Sequence, residues 1–262
     1  MIFHFMELNN NIPNKYCPNI EKPKISNNID DDNDSIYSEY IKGLNFDKTK
    51  LELNLKKSSK NNELIILIES GSLSPPHRMH IYIMELVKAF FESNDKNKKV
   101  VGGFIVPSSD NYVRKKLKED FIPLKHRINM TKILIKNNDW LDCLDWDMSY
   151  GEEIKICIDK IIKINFPEYS IKSYLVFGID FYLRCNLNLK SEQICIYRPG
   201  YNLNAVKKIY QKNLLFIEGN KDDISSSKIR KAIREKDENI IKELMSKEII
   251  EYINTNNLFG EN

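Results

Sequence analysis

The sequence predicts an α/β fold in which a doubly wound parallel sheet carries helices on both faces. Three observations predict it. From about residue 60 onward, short aliphatic runs alternate with segments of helical periodicity. One of them, Leu64–Ile68, is apolar at every position, as strands covered on both faces are. Glycine, serine and proline then punctuate a strand-to-helix junction at Gly71-Ser72-Leu73-Ser74-Pro75-Pro76.

Taken in order, the chain begins with a polar stretch containing Asn9-Asn10-Asn11 and Asp30-Asp31-Asp32-Asn33-Asp34, poor in aliphatic residues. Residues 1–60 read as an extension, disordered or loosely attached up to about residue 40. Leu51, Leu53 and Leu55 alternate with polar residues, which suits a short edge strand or a solvated linker. Residues 61–262 then read as one domain. Its expected strands are Leu64–Ile68, Val100–Val106, Ser173–Phe177, Gln193–Tyr197 and Leu214–Ile217. Its expected helices are Met79–Glu92, Leu124–Lys136, Glu152–Ile164, Asn204–Lys212, Ser226–Arg234 and Asn239–Asn254. The first has its apolar residues Met79, Ile83, Leu86, Val87 and Phe90 along one face.

Bulk properties narrow the function classes. A hydrophobic fraction of 42% in 262 residues is enough for a sizeable core. The net charge of +3 argues against general polyanion binding, and no nucleic-acid reader motif is present. Cys17, Cys143, Cys157, Cys185 and Cys195 are scattered without a Cys-x-x-Cys pair, which predicts reduced thiols and an intracellular protein. No apolar run approaches the ~18 residues of a membrane span. Met1 to Met6 is too short and too poorly charged for a signal peptide. A soluble protein of the cytoplasm or nucleus is expected, with no membrane partner and with homo-oligomerisation left open.

Chemistry is expected first at Gly71 to His80. His77 and His80 stand at i and i+3 at a helix start, on one face. They suit a metal site, although no nearby cysteine or histidine completes one. They also suit ordinary polar residues at a helix end, but the preceding Gly-Ser and Pro-Pro turn favours donors to phosphate oxygens beside free backbone N–H groups. A second junction, Ile224-Ser225-Ser226-Ser227-Lys228-Ile229-Arg230, is either a capped basic helix or a polyphosphate cradle. Between them, Arg114 and Lys115 lie in a basic run that is a solvated face or a source of cations for the same cleft. Phe177-Gly178-Ile179-Asp180 ends a strand where a carboxylate can accept ribose hydroxyls. Trp146, between Asp145 and Asp147, is a core residue or a stacking face for a base.

In this order the segments resemble the eukaryotic nicotinamide/nicotinate mononucleotide adenylyltransferases of the H-x-G-H nucleotidyltransferase superfamily. Gly71 to His80 resembles the family's G-S-F-[NS]-P…H element, and Pro123-Leu124-Lys125-His126-Arg127 its P-x-x-H-R helix start. Ile224 to Arg230 is similar to I-S-S-T-K-I-R, and Tyr252-Ile253…Asn257-Leu258-Phe259 to the closing Y-I…N-L-Y. Trp146, Phe177 to Asp180 and Arg198 match weaker elements. The likeness spans about residues 62 to 259. The chain departs from the pattern at Leu73, at Phe177, and in lacking a second tryptophan around Arg184 to Leu189.

The resemblance implies a Rossmann-like sheet of nucleotidyltransferase type and transfer of the adenylyl group of ATP to nicotinamide or nicotinate mononucleotide. It implies catalytic roles for His77, His80, Lys115 and Arg230. ATP would be bound by Gly71, Ser72, His77, His80, Gly178, Asp180, Arg198, Ser226, Ser227, Lys228 and Arg230. The mononucleotide would meet Ser72, Arg114, Lys115 and Trp146. Magnesium would ride on the phosphates without protein ligands. A sister nucleotidyltransferase with another phosphorylated acceptor, and a binding or chaperone-like relative without turnover, remain the alternatives.

Overall fold

The computed structural model describes residues 41–59, 61–185, 191–202, 213–222 and 224–260. The expected helix Asn204–Lys212 and the polar stretch up to residue 40 lie outside them. The elements are α1 (Thr49–Lys57), β1 (Glu63–Gly71), α2 (Arg78–Asn94), β2 (Lys98–Pro107), α3 (Asp110–Leu117), a single 3-10 turn (Lys118–Asp120), α4 (Leu124–Leu134), β3 (Leu141–Cys143), α5 (Gly151–Asn165), β4 (Ile171–Gly178), α6 (Ile179–Cys185), β5 (Gln193–Tyr197), β6 (Leu214–Glu218), α7 (Ser226–Arg234), α8 (Glu238–Leu244) and α9 (Lys247–Thr255). All the strand pairings are parallel, in the order β3-β2-β1-β4-β5-β6. That is the doubly wound order, and it reverses between β1 and β4.

β1 is apolar from Leu64 to Ile68 because both of its faces are covered there. Leu64, Ile66 and Ile68 pack with Val101, Phe104, Ile154 and Ile158 on one side. Ile65 and Leu67 pack with Met84, Val87 and Phe91 of α2 on the other. A third cluster joins α4 to α7, α8 and α9 through Met130, Ile229, Leu244 and Ile249. Gly103 in β2 is required by close approach: a Cβ there would lie 2.5 Å from Leu141 and 2.6 Å from the Trp140 ring. The two tryptophans fall on opposite sides of the sheet, Trp140 with α2 and Trp146 with α5. Burial pushes the thiols of Cys143 and Cys195 up to about 12 and that of Cys157 to about 11, so these cysteines are unreactive packing residues.

Several expectations are corrected. The boundary at residue 60 does not mark the start of the folded unit, since Ile41, Leu51 and Leu55 are buried in the core. The leucines of α1 are helical rather than stranded: Leu51 and Leu55, at i and i+4, face the sheet while Leu53 points outward. The helix expected over Asn239–Asn254 is two helices. Ser246 interrupts it by capping α9, accepting from the Ile249 N–H, as Asp237 caps α8. β3, α3 and α6 were not expected. β3 has only three residues, and α3 buries only Val113, so neither carries a periodic signal.

No helix among the described residues is long and apolar enough to cross a membrane.

Candidate active site

Ligands of doubly wound sheets sit beyond the carboxyl ends of the strands, where the order reverses. Here that place lies past Gly71 of β1 and Gly178 of β4, two residues beyond the paired positions Glu69 and Val176. A Cβ on either glycine would meet nothing within 4 Å, so both strand ends face open space.

The turn after β1 is held by two buried arginines. Arg127 of α4, fully buried, donates from one nitrogen to the carbonyls of Ser72 at 3.0 Å and Ser108 at 2.7 Å. Its second terminal nitrogen donates to Asp110 Oδ1 at 2.8 Å, and Nε donates to the Ile122 carbonyl at 2.8 Å. Arg230 of α7 donates to the Ser74 carbonyl at 2.8 Å and to Asp120 at 3.0 Å. Between these anchors Leu73 takes φ 48°, a left-handed conformation that a leucine holds only when its surroundings enforce it.

The turn delivers the two histidines. His77 is the N-cap of α2, with extended backbone and no side-chain cap hydrogen bond. His80 lies in the first turn, and the ring centroids are 4.3 Å apart. Burial, and secondarily the neighbouring His80, push the pKa of His77 down to about 2, so its ring is neutral. His80 Nδ1 meets Glu69 Oε1 at 2.5 Å. Seven buried side-chain atoms lack a hydrogen-bond partner among the described residues, and five belong to residues 69–80: Glu69 Oε2, Ser70 Oγ, Ser74 Oγ, His77 Nδ1 and His80 Nε2. Buried polar groups are almost always paired, so such a concentration marks a place built for a polar ligand.

The second junction meets the first directly. Ser226 Oγ donates to the Pro75 carbonyl at 2.8 Å, and Arg230 bridges from α7 to Ser74. Ser225 caps α7 by accepting from the Lys228 N–H. The N-termini of α2 and α7, both favourable to anions, therefore share one turn of chain. Ser227 and Lys228 are exposed on α7. Arg230 is a buried strut, with Nε on Asp120 and a terminal nitrogen on Ser227 Oγ at 3.3 Å besides its bond to Ser74.

Other expected residues sort less evenly. Lys116, not the exposed Lys115, reaches the β1 turn, with Nζ 3.0 Å from Ser72 Oγ. Arg114 stacks on Phe121, its guanidinium carbon 3.9 Å from the ring centre. Asp180 is exposed in α6 just past Gly178, and Arg198 is exposed just past β5. The stacking role expected of Trp146 is corrected. The ring is 2% exposed, lies 6.3 Å from Phe46, and donates its indole N–H to the Asn45 carbonyl at 2.8 Å, so no face is open to a base. Four residues with evident work here were not expected: Glu69, Lys116, Asp120 and Arg127. A carboxylate inside an aliphatic strand was the available signal for Glu69. No cluster of three or more His, Cys, Asp or Glu able to hold a metal occurs among the described residues.

A family model described as cytidylyltransferase-like matches residues 69–232, more than half of the chain. The chain belongs to that family. The matched span of this cytidylyltransferase-like protein opens at Glu69 and closes in α7, so it contains both helix N-termini. It is 24% identical over 236 residues to a nicotinamide/nicotinic acid mononucleotide adenylyltransferase of Arabidopsis thaliana, covering 80% of this chain and 96% of that one. It is 27% identical over 258 residues to nicotinamide/nicotinic acid mononucleotide adenylyltransferase 1 of Bos taurus, covering 75% and 89%. A shorter stretch of 88 residues is 33% identical to a nicotinamide-nucleotide adenylyltransferase of Drosophila melanogaster, covering 34% and 21%.

Proposed function

We propose that this chain transfers the adenylyl group of ATP to nicotinamide or nicotinate mononucleotide, forming the dinucleotide and pyrophosphate. The observation that carries the reading is the junction of two helix N-termini over a turn with five orphaned polar atoms, two of them on histidines. The names of the Arabidopsis and bovine relatives point to the same reaction.

The mononucleotide phosphate is already an anion at neutral pH, so its oxygen attacks the α-phosphorus of ATP without a general base. The bond to the bridging oxygen breaks, and pyrophosphate leaves with the electron pair. What the protein must supply is alignment of two anions and donors where charge accumulates. His80 Nε2 and a ring N–H of His77 serve the ATP phosphates beside the α2 N-terminus. Ser226, Ser227 and Lys228 hold the β- and γ-phosphates at the α7 N-terminus, with Arg230 bracing both helices. Gly71 and Gly178 leave room for the nucleotide, Asp180 accepts ribose hydroxyls and Arg198 flanks the adenosine. Lys116, together with Ser72, takes the acceptor phosphate in place of Lys115. ATP enters as its magnesium complex, the ion carried on phosphate oxygens.

Pyrophosphate release from magnesium ATP, measured with each mononucleotide separately, tests the proposal. Release that requires either mononucleotide supports it, and the kcat/KM ratio reports the ring preferred. Because Trp146 is buried, the pyridine has no assigned stacking partner, and a second reading with another phosphorylated acceptor follows from that burial. Release with such an acceptor, and with neither mononucleotide, would favour the second reading.

A further inference from the structure

Side chains alternate across β1, so Ile65, Leu67 and Glu69 lie on the face covered by α2. The first two meet Met84 and Val87 in an apolar layer. An apolar residue at 69 would extend that layer, whereas a carboxylate only 5% exposed is costly to bury unless it is paired. Its hydrogen-bond partner is His80, in the first turn of α2. Glu69 Oε1 lies 2.5 Å from Nδ1, and the other carboxylate oxygen has no partner.

An ionised carboxylate only accepts, so the proton at this contact sits on Nδ1. The ring is thereby turned with Nε2, itself orphaned, as the atom available to a ligand. To donate from Nε2 as well, the ring must carry a second proton. A carboxylate opposite Nδ1 stabilises that imidazolium and holds its orientation. His80 also lies against His77, whose buried neutral ring adds no competing charge. Two neighbouring histidine rings, tilted by 33°, thus divide the work, one held against a carboxylate and one kept neutral by burial.

We infer that Glu69 is a positioning residue for the proposed transfer, holding His80 by Nδ1 so that Nε2 is presented to the phosphates. The inference rests on the proposed reaction. As an outer partner of a functional histidine, Glu69 should matter by about 10- to 100-fold. E69Q should lower kcat by about tenfold, with the KM for magnesium ATP changed less than twofold, because it removes charge and keeps an acceptor. E69A should lower kcat by about 100-fold, and the double variant E69A/H80A should be no worse than H80A, since both act through one ring. Independent losses that multiply in the double variant, or an E69A enzyme with wild-type kcat, would overturn the inference. Should E69A not fold, nitrogen NMR of labelled histidine in wild type and E69Q decides. A protonated Nδ1 at His80 whose signal moves in E69Q is the expected result, and a bare Nδ1 in wild type overturns it. Failure of the parent reading is distinct: the wild type itself would then release no pyrophosphate.

Discussion

The N-termini of α2 and α7 meet at one turn, yet they are finished in opposite ways. At α7 the ends are tied: Ser225 caps, Ser226 holds Pro75, and Arg230 spans Ser74, Asp120 and Ser227. At α2 the N-cap side chain makes no cap bond, and two histidine nitrogens, two serine hydroxyls and a glutamate oxygen close by are left without partners. A buried polar group without a partner is destabilising, whereas one hydrogen-bonded on all sides is not. The braced terminus therefore supplies stability, and the bare one stores binding capacity for a ligand. Two phosphate-like motifs in a sequence need not be two equal halves of a site.

Breaking the braced end should show first in stability. R230A strands the Ser74 carbonyl and leaves Asp120 to the more exposed Arg234, and loss of one partner from a buried charged network costs about 3–5 kcal/mol. Urea denaturation should register that loss, while K228A should raise the KM for ATP with little change in denaturation midpoint. A stable R230A protein would mean the strut is dispensable. Breaking the bare end should show in turnover. H80A should lower kcat by about 10²-fold or more, since one preorganised donor is worth that much; near-normal turnover removes His80 from the chemistry.

Acid should act through His77. Its pKa is 6.5 when free and about 2 in the fold, so below pH 6.5 the unfolded chain binds a proton that the folded chain refuses. Stability is full above pH 6.5 and falls as the pH drops toward about 2. Between pH 7 and pH 5 this contribution is about 2 kcal/mol, and H77Q should abolish it, as denaturation at the two pH values would reveal. An identical pH slope in H77Q would show that the ring is not held neutral. The smallest effect belongs to S226A, which removes one neutral hydrogen bond between the two ends and should cost about 1 kcal/mol. No loss there would mean that Arg230 alone couples α7 to the turn.

Much of this was legible without coordinates, for physical reasons that also explain the gaps. Gln193–Tyr197 and Ser226–Arg234 have the bounds expected of them, because a short apolar run and a serine cap are local signals. The phosphate turn was legible because glycine, serine and proline limit what the backbone can do. Trp146 misled because Asp145 and Asp147 suggest water, whereas its surroundings come from Asn45 and Phe46, far away in sequence and outside the expected domain. Lys115 and Lys116 differ only by the rotation per residue of a helix that the basic run concealed. Glu69 passed as the end of a strand, since its meaning depends on which face of β1 meets α2.

The two tryptophans offer an optical handle on this layering. Trp140 reports from beneath α2 with its indole N–H on Glu85, and Trp146 from beneath α5 and α1 with its indole N–H on Asn45. Replacing either with phenylalanine leaves a single tryptophan on one known side of the sheet. Emission from the Trp140-only chain would then follow loosening around the histidine helix, and that from the Trp146-only chain the docking of the segment before β1. Each variant would report its own event as a shift in emission.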